Sequence, residues 1–389
     1  MTPSLTVVQL AGSPELPLLV VGPSLGTSAE SLWARCAALL GETFHVVGWE
    51  LPGHGRGTPA TAPFTMADLA AGVLAAIEPV LVERGEAGGT FGYAGDSVGG
   101  AAGLQLLLDA GDRVTAAAML CTGAKIGETD GWLERAALVR RSGTPVMVAG
   151  SSQRWFAPGF LEREQEAGVA LLGALQHADA ESYALVCEAL AAFDVRDRLE
   201  QIGAPVLAVA GIHDEATPPD SLREIATGVA VGTFVELDGV AHLAAAEAPH
   251  TVASLLTAHL GTHLTGGAGD PYDAGMVVRR EVLGDAHVDR AIAHTTDVNA
   301  AYQELITRYA WGSIWTRPGL DRRSRSVGVL TALIAGRHFD ELEFHLVAAL
   351  RNGLTKEEIV EVLLQTAIYA GVPCANSAFA VANRVLNES

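Results

Sequence analysis

Short runs of apolar residues, rich in Val, Leu and Ala and mostly bounded by Gly or Pro, recur at 18–21, 44–49, 90–94, 114–121, 206–210 and 234–237. Runs this short, apolar on both faces, read as strands buried inside a sheet. Between several of them lie stretches long enough for helices, at 66–83, 98–108, 218–227 and 249–260. Strand and helix in alternation predict a mostly parallel sheet covered by helices on both faces. The rhythm stops at about 127–199, where the pattern is helix-like without a clear strand, as in a helical lid inserted over such a sheet.

Further along, the period changes. The stretches 297–311, 322–335, 339–350 and 356–370 carry apolar residues at three- and four-residue spacing, the mark of helices with one buried face. Thr355 with Glu358 forms a capping box opening the last of these, and Asn352-Gly353 closes the one before. Between the two patterns lies Thr265-Gly266-Gly267-Ala268-Gly269-Asp270-Pro271, small, flexible and without apolar period, which reads as a linker. The expected organisation is 1–264, a linker at 265–270, and an all-helical domain at 271–389.

Composition narrows the classes open to this chain. Its 389 residues, 49% of them hydrophobic, suffice for two packed cores and are too apolar for disorder. A net charge of −20 leaves no surface for tracking phosphates, so nucleic acid is not an expected partner. Cys36, Cys121, Cys187 and Cys374 are far apart, which argues against a zinc ribbon or disulfide framework and fits a reducing compartment. Met1-Thr2-Pro3-Ser4 carries no basic leader, and the first apolar run contains Pro17 and ends at Gly22-Pro23. Neither a secretory signal nor a membrane span is expected, and the expected location is the cytoplasm.

The first candidate chemistry is Gly95-Asp96-Ser97-Val98-Gly99, where a strand meets a helix. A serine that attacks a carbonyl has to be lifted clear of its sheet, on a turn too tight for bulky side chains two residues to either side. Glycine at both positions meets that need. The serine then requires a base, and the base an acid to orient it. Asp214 follows the run at 206–210 and His242 follows the run at 234–237, so all three lie at strand C-terminal ends, on one edge of the sheet. His213 competes as base but precedes the acid, on the wrong loop. Oxyanion donors are expected from the N–H of Val98 and, in the loop 22–27, that of Leu25. Asp96 either raises the histidine pKa or points into solvent.

Ser24-Leu25-Gly26-Thr27, Leu51-Pro52-Gly53-His54-Gly55, the elbow, Arg154-Trp155-Phe156, Asp214 with Thr217-Pro218-Pro219, and Ala241-His242-Leu243 together resemble 3-oxoadipate enol-lactone hydrolases of the α/β-hydrolase fold. The resemblance runs over roughly 10–262. It implies catalytic roles for Ser97, Asp214 and His242, and a small lactone carboxylate as substrate, bound with the help of Arg154 and Trp155. This chain departs from the pattern at Asp96, where those enzymes usually carry a hydrophobic residue.

The second candidate chemistry is Trp315-Thr316-Arg317-Pro318-Gly319-Leu320-Asp321-Arg322-Arg323-Ser324-Arg325, a dense set of arginines in an acidic chain. Arginine forks bind carboxylates in bidentate geometry, and Arg322 and Arg325 share one helix face; a solvated helix start is the plainer reading. His338, Glu341 and His345 also share a face. A metal site lacks a fourth ligand there, which leaves an ion-paired histidine or a proton donor.

With Tyr272-Asp273-Ala274-Gly275-Met276, Val278-Arg279-Arg280, Ala310-Trp311-Gly312 and Gln365-Thr366-Ala367-Ile368-Tyr369-Ala370-Gly371-Val372-Pro373, this region resembles 4-carboxymuconolactone decarboxylases over about 271–388. Disulfide reductases of the wider superfamily carry Cys-x-x-Cys ahead of a helix histidine; here His338 and Glu341 stand before His345, which excludes thiol redox. The implied reaction needs neither cofactor nor metal, because loss of CO₂ pushes electrons through the ring double bond onto the lactone carbonyl. The protein has to hold the acetate arm, stabilise the dienolate oxygen and protonate the α carbon. On this resemblance Arg317, Arg322 and Arg325 take the first two tasks and His345 the third, tuned by Glu341, with Tyr369 a second candidate acid.

The two implied reactions are consecutive. The expectation is a bifunctional enzyme that decarboxylates the carboxylactone and then opens the resulting enol-lactone, forming a homo-oligomer through its second domain. The alternative is a generic esterase or lactonase whose helical domain serves only for oligomerisation.

Overall fold

The computed structural model describes residues 1–264, 271–296, 298–317 and 319–388. Each apolar run named above overlaps a strand to within a residue or two at either end, and together with one further strand they form a single seven-stranded sheet. In chain order the strands are β1 (Thr6–Ala11), β2 (Leu18–Gly22), β3 (His45–Glu50), β4 (Phe91–Asp96), β5 (Val114–Leu120), β6 (Val206–Gly211) and β7 (Gly232–Leu237), arranged β1-β3-β2-β4-β5-β6-β7. All neighbours are parallel except β1, which pairs antiparallel with β3. The central strands β2, β3, β4 and β6 are buried along their whole length, which is why they read as unbroken apolar runs. β1 is an edge strand with only Val8 buried, and it left no such run to see.

Helices Ala29–Leu40, Met66–Glu83, Val98–Ala110, Pro219–Gly228 and Pro249–Leu264 accompany the strands. Two of them start on reciprocal capping boxes, Ser28 with Ser31 and Thr65 with Asp68. Between β5 and β6 the chain forms helices and loops: Thr129–Ser142, Val148–Arg154, Phe160–Arg163, Gln165–His177 and Ala180–Ala191 are the α-helices. Tyr183 and Phe160 from these helices are fully buried, so this region shares the core of the sheet.

The chain separates into two compact units, Met1–Thr265 and Gly266–Ser389; the expected linker, 265–270, lies outside the described residues. The second unit is helical throughout its described residues: Pro271–Leu283, Asp285–Ala293, Ala300–Ile306 running on into a π-helical stretch Thr307–Trp315, then Arg322–Ala335, Phe339–Arg351, Lys356–Ala370 and Val372–Glu388. Its main core joins Leu330, Ile334, Leu342, Leu346, Ile359 and Leu363. A smaller one joins Val282, Trp311 and Ala348. The π-helical stretch meets Pro271–Leu283 at close range: a Cβ on Gly275 would lie 2.7 Å from the Gly312 nitrogen, so only glycine fits. The Thr355–Glu358 box is present with both hydrogen bonds made. Asp297, the first residue of an expected helix, and Pro318, within the arginine-rich segment, lie outside the described residues. Among the described residues no helix is long and apolar enough to cross a membrane.

Candidate active sites

Ser97 ends the sharp turn from β4 into the helix Val98–Ala110, with φ 51° and ψ −116°. A non-glycine residue in such backbone costs about 1–3 kcal/mol and persists only where surrounding contacts fix it. Those contacts are present. The Ser97 N–H donates to Leu120 O (2.9 Å), and Ser97 O accepts from Thr122 Oγ1 (2.6 Å) and Ala101 N (3.0 Å). Gly99 N donates to Pro23 O (2.9 Å), and a Cβ on Gly99 would stand 2.6 Å from the Gly22 carbonyl carbon. The elbow is thereby locked against the loop that carries Leu25.

His242 Nε2 lies 2.9 Å from Ser97 Oγ, and its Nδ1 lies 2.9 Å from Asp214 Oδ2 and 3.1 Å from Oδ1. With the Nδ1 proton given to the carboxylate, Nε2 is free to accept the serine proton. Asp214 also accepts from the N–H of Ala216 (2.8 Å), the N–H of Thr217 (3.0 Å) and Thr217 Oγ1 (2.7 Å). Burial pushes its carboxyl up, but the His242 imidazole and the Thr217 hydrogen bonds outweigh this and hold it below the usual aspartate range. The ring is anchored by its own backbone: His242 N donates to Trp155 O (3.1 Å), while Glu247 accepts from the N–H groups of Ala157 (2.7 Å) and Ala241 (2.9 Å). Glu247 was missed by sequence reasoning, which had no motif to separate it from the chain's other acids. His213 is exposed and takes no part.

Asp96 does not point into solvent. It is fully buried, and neither carboxylate oxygen has a hydrogen-bond partner. Burial, then the charges of Asp214 and Glu247, push its carboxyl well above the usual range. A carboxyl whose surroundings favour its protonated form therefore sits behind the elbow.

A cavity of about 510 Å³ opens onto Ser97 and His242. Leu25, the expected oxyanion donor, lines it, as do Arg154 and Trp155, expected to bind substrate. Val98, fully buried, begins the helix, where backbone N–H groups lack intrahelical acceptors. Two further polar groups emerge only in three dimensions. Ser24 Oγ is buried without a partner. Arg135, from helix Thr129–Ser142, lies between the Trp132 and Tyr183 rings at 5.3 and 5.4 Å and hydrogen-bonds the Tyr183 hydroxyl. Its Nε is buried without a partner, and no carboxylate pairs with it among the described residues.

In the second unit the arginine-rich segment is largely tied up by the protein itself. Arg322 is ion-paired with Glu281, Arg323 with Glu358 (2.6 Å), and Arg325 donates to Leu320 O (2.9 Å) and Arg317 O (2.7 Å) to close the turn before its helix. Arg317 is exposed. His345 is half-buried on helix Phe339–Arg351, whereas Glu341 and His338 are exposed at the helix start. No hydrogen bond joins Glu341 to His345 among the described residues. The group that acts on His345 is His287, from helix Asp285–Ala293: burial first, then the His287 charge, pull His345 down to about 4. The Phe344 ring stands against both, with centroids 4.6 Å from His287 and 4.5 Å from His345.

A serine on a strand-to-helix elbow, hydrogen-bonded to a histidine and through it to an aspartate from successive strand ends, defines the α/β-hydrolase class. The chain belongs to the alpha/beta hydrolase family, which matches residues 18–255, and its residues 300–384 match the carboxymuconolactone decarboxylase family. Over 117 residues it is 43% identical to the 4-carboxymuconolactone decarboxylase of Acinetobacter baylyi, covering 30% of this chain and 87% of that one. Over 206 residues it is 34% identical to 3-oxoadipate enol-lactonase 2 of the same organism, covering 53% of this chain and 74% of that one. The crystal structure of the enol-lactonase from Burkholderia xenovorans superposes with a TM-score of 0.61 at 30% identity, over 66% of this chain and 96% of that one.

Proposed function

We propose that this chain is a bifunctional enzyme: its second unit decarboxylates 4-carboxymuconolactone to 3-oxoadipate enol-lactone, and its first unit hydrolyses that lactone to 3-oxoadipate. The observation that carries this reading is the Ser97–His242–Asp214 relay opening on a cavity with an unpaired arginine, in a chain that continues into a decarboxylase-family domain. The product expected of one unit is the substrate expected of the other.

In the hydrolase step Ser97 Oγ attacks the lactone carbonyl as His242 takes its proton, with Asp214 stabilising the imidazolium. The N–H groups of Leu25 and Val98 receive the oxyanion. Ring opening expels an enolate, which becomes the ketone on protonation, and water then releases the acyl group by the same route. The acetate arm is held by Arg135, aided by Arg154 and packed on Trp155. An uncommitted guanidinium supports this assignment, since a charge-assisted bond to a carboxylate replaces no existing pair.

In the decarboxylation the bond from the γ carbon to the carboxylate breaks, its electrons pass through the ring double bond to the carbonyl oxygen, and a proton is added at the α carbon. His345 is the proposed proton donor. Without substrate it is uncharged at neutral pH; an incoming dianion favours the imidazolium and arms it.

The second unit exposes large apolar side chains, among them Ile368 and Tyr369 at 79% and 82%, with Tyr302, Leu305 and Tyr309 elsewhere on its surface. Faces of this kind support self-association through that unit. The four cysteines are free and buried, in keeping with a cytoplasmic enzyme.

The test is to give purified, chelator-treated protein 4-carboxymuconolactone and follow CO₂ and 3-oxoadipate together. Both should appear in equal amounts. Ester or enol-lactone hydrolysis without any CO₂ release would instead indicate an esterase with a non-catalytic helical domain.

A further inference from the structure

The arginines that the sequence brought forward are mostly spent on the protein's own carboxylates and carbonyls, which leaves open what receives the substrate's second negative charge in the decarboxylase unit. Among the described residues of that unit, one cation is both buried and without an acidic partner. Arg279, on helix Pro271–Leu283, is only 5% exposed and has no acidic partner among the described residues. Its Nη1 donates to Thr307 Oγ1 (3.0 Å) and its Nη2 to Gln303 Oε1 (3.0 Å), both neutral acceptors, and its Nε is buried with no partner. A guanidinium sealed from water without an anion is an unfavourable arrangement that an anionic ligand relieves.

Helix geometry sets this arginine beside His345. Val282 lies one turn after Arg279 and Ala348 one turn after His345; both belong to the small core around Trp311, and the two helices that carry them pack together. The turns bearing Arg279 and His345 thus lie next to turns that share one core. His287 completes the group: Arg279 and Arg290 both act on its charge, and it acts in turn on His345. The Phe344 ring contacts both imidazoles.

Resting on the decarboxylase reading above, we propose that Arg279 binds the non-reacting acetate carboxylate of the substrate, in a site walled by His287, Phe344 and His345. The choice of carboxylate follows from the chemistry. A cation on the departing carboxylate would stabilise the ground state and raise the barrier, whereas one on the acetate arm binds ground state and transition state alike. The departing group is left beside the Phe344 ring, with Arg279 committed to the other carboxylate. The bond to CO₂ then breaks with its electrons held on the lactone oxygen, and the proton comes from His345. Arg279 and His287 both lie outside the 300–384 stretch that matches the decarboxylase family.

The experiment compares two substrates on the full-length enzyme: 4-carboxymuconolactone and its analogue with a methyl group in place of the acetate arm. Arg279→Gln should lower kcat/KM for the first by about 10- to 100-fold, the usual worth of a hydrogen bond to a charged group, chiefly through KM. The methyl analogue should react with parent enzyme and variant at the same rate, which also shows that the variant is folded. Arg279→Lys, which keeps the buried charge, should fall between the two on the first substrate alone. Equal losses on both substrates in both variants would overturn the proposal and give Arg279 a purely structural role, as would no loss on either. Absence of CO₂ release by the parent enzyme would defeat the decarboxylase reading itself, a separate outcome.

Discussion

Replacing Asp96 by Asn should stabilise the hydrolase unit, and by an amount that grows with pH. The carboxyl is fully buried and both oxygens lack partners, so even uncharged it costs about 1–3 kcal/mol of unsatisfied polar surface, which Asn retains in large part. What Asn removes is the ionisation penalty. In the unfolded chain the group loses its proton near pH 3.9, whereas in the fold burial, Asp214 and Glu247 hold the proton on to well above that. A folded pKa above the unfolded one means that this group's stabilising contribution is complete below the unfolded value and is lost as pH rises toward the folded one. Over that window the parent loses about 1.4 kcal/mol per pH unit relative to Asp96→Asn. At roughly 2–4 °C per kcal/mol for a unit of this size, the gap in melting temperature should widen by about 3–5 °C per pH unit. Scanning calorimetry of both proteins at pH 5, 6 and 7 measures it, with lactone hydrolysis as a check on the intact site. A gap that stays constant over this range would refute the reasoning, because it would mean that Asp96 is already ionised in the fold.

Arg135→Met should raise KM for the enol-lactone by about 10- to 100-fold while leaving kcat within a few-fold, since the charge-assisted bond to the acetate arm persists unchanged through the reaction. Steady-state kinetics on the enol-lactone beside a neutral lactone checks this; an unchanged KM sinks it. His345→Gln should abolish CO₂ release while enol-lactone hydrolysis continues at the parent rate. Decarboxylation at the parent rate would move the acid role to Tyr369.

The hydrolase site was legible because its chemistry is written in local motifs and in chain order. Gly95 and Gly99 mark the elbow; Asp214 follows β6, whose complete burial made it visible as an apolar run, and His242 follows β7, a strand only partly buried but still rich in apolar residues. Arg135 was not legible. It sits on helix Thr129–Ser142 beside Arg140 and Arg141, and only the packing of that helix brings it to the cavity. Asp96 was visible as an anomaly, but its surroundings come from β5 and the His242 loop, which no local pattern encodes. In the second unit helix periodicity found His345, and the resemblance gave it a role. The same periodicity paired it with Glu341, four residues earlier, because spacing along one helix cannot show that Glu341 faces solvent while His345 turns toward His287 on another helix. The arginines at 317–325 drew attention by their density. Density reflects a hub of ion pairs and a turn closure, whereas the unpaired cation, Arg279, stands in the sequence beside an ordinary surface arginine, Arg280, paired with Asp285 and Asp289.

The most direct test of two chemistries in one chain is Ser97→Ala, followed by time-resolved NMR with 4-carboxymuconolactone as the only substrate. The hydroxyl is the proposed nucleophile, and loss of one member of such a triad leaves only the residual catalysis of the oxyanion site and binding. The decarboxylase unit has its own core and needs no serine. The variant should consume the carboxylactone, release one CO₂ per molecule and accumulate enol-lactone with little 3-oxoadipate, and the accumulated lactone should disappear when unmodified protein is added. Formation of 3-oxoadipate at the parent rate would contradict Ser97 as nucleophile, and failure to release CO₂ would contradict the independence of the two units.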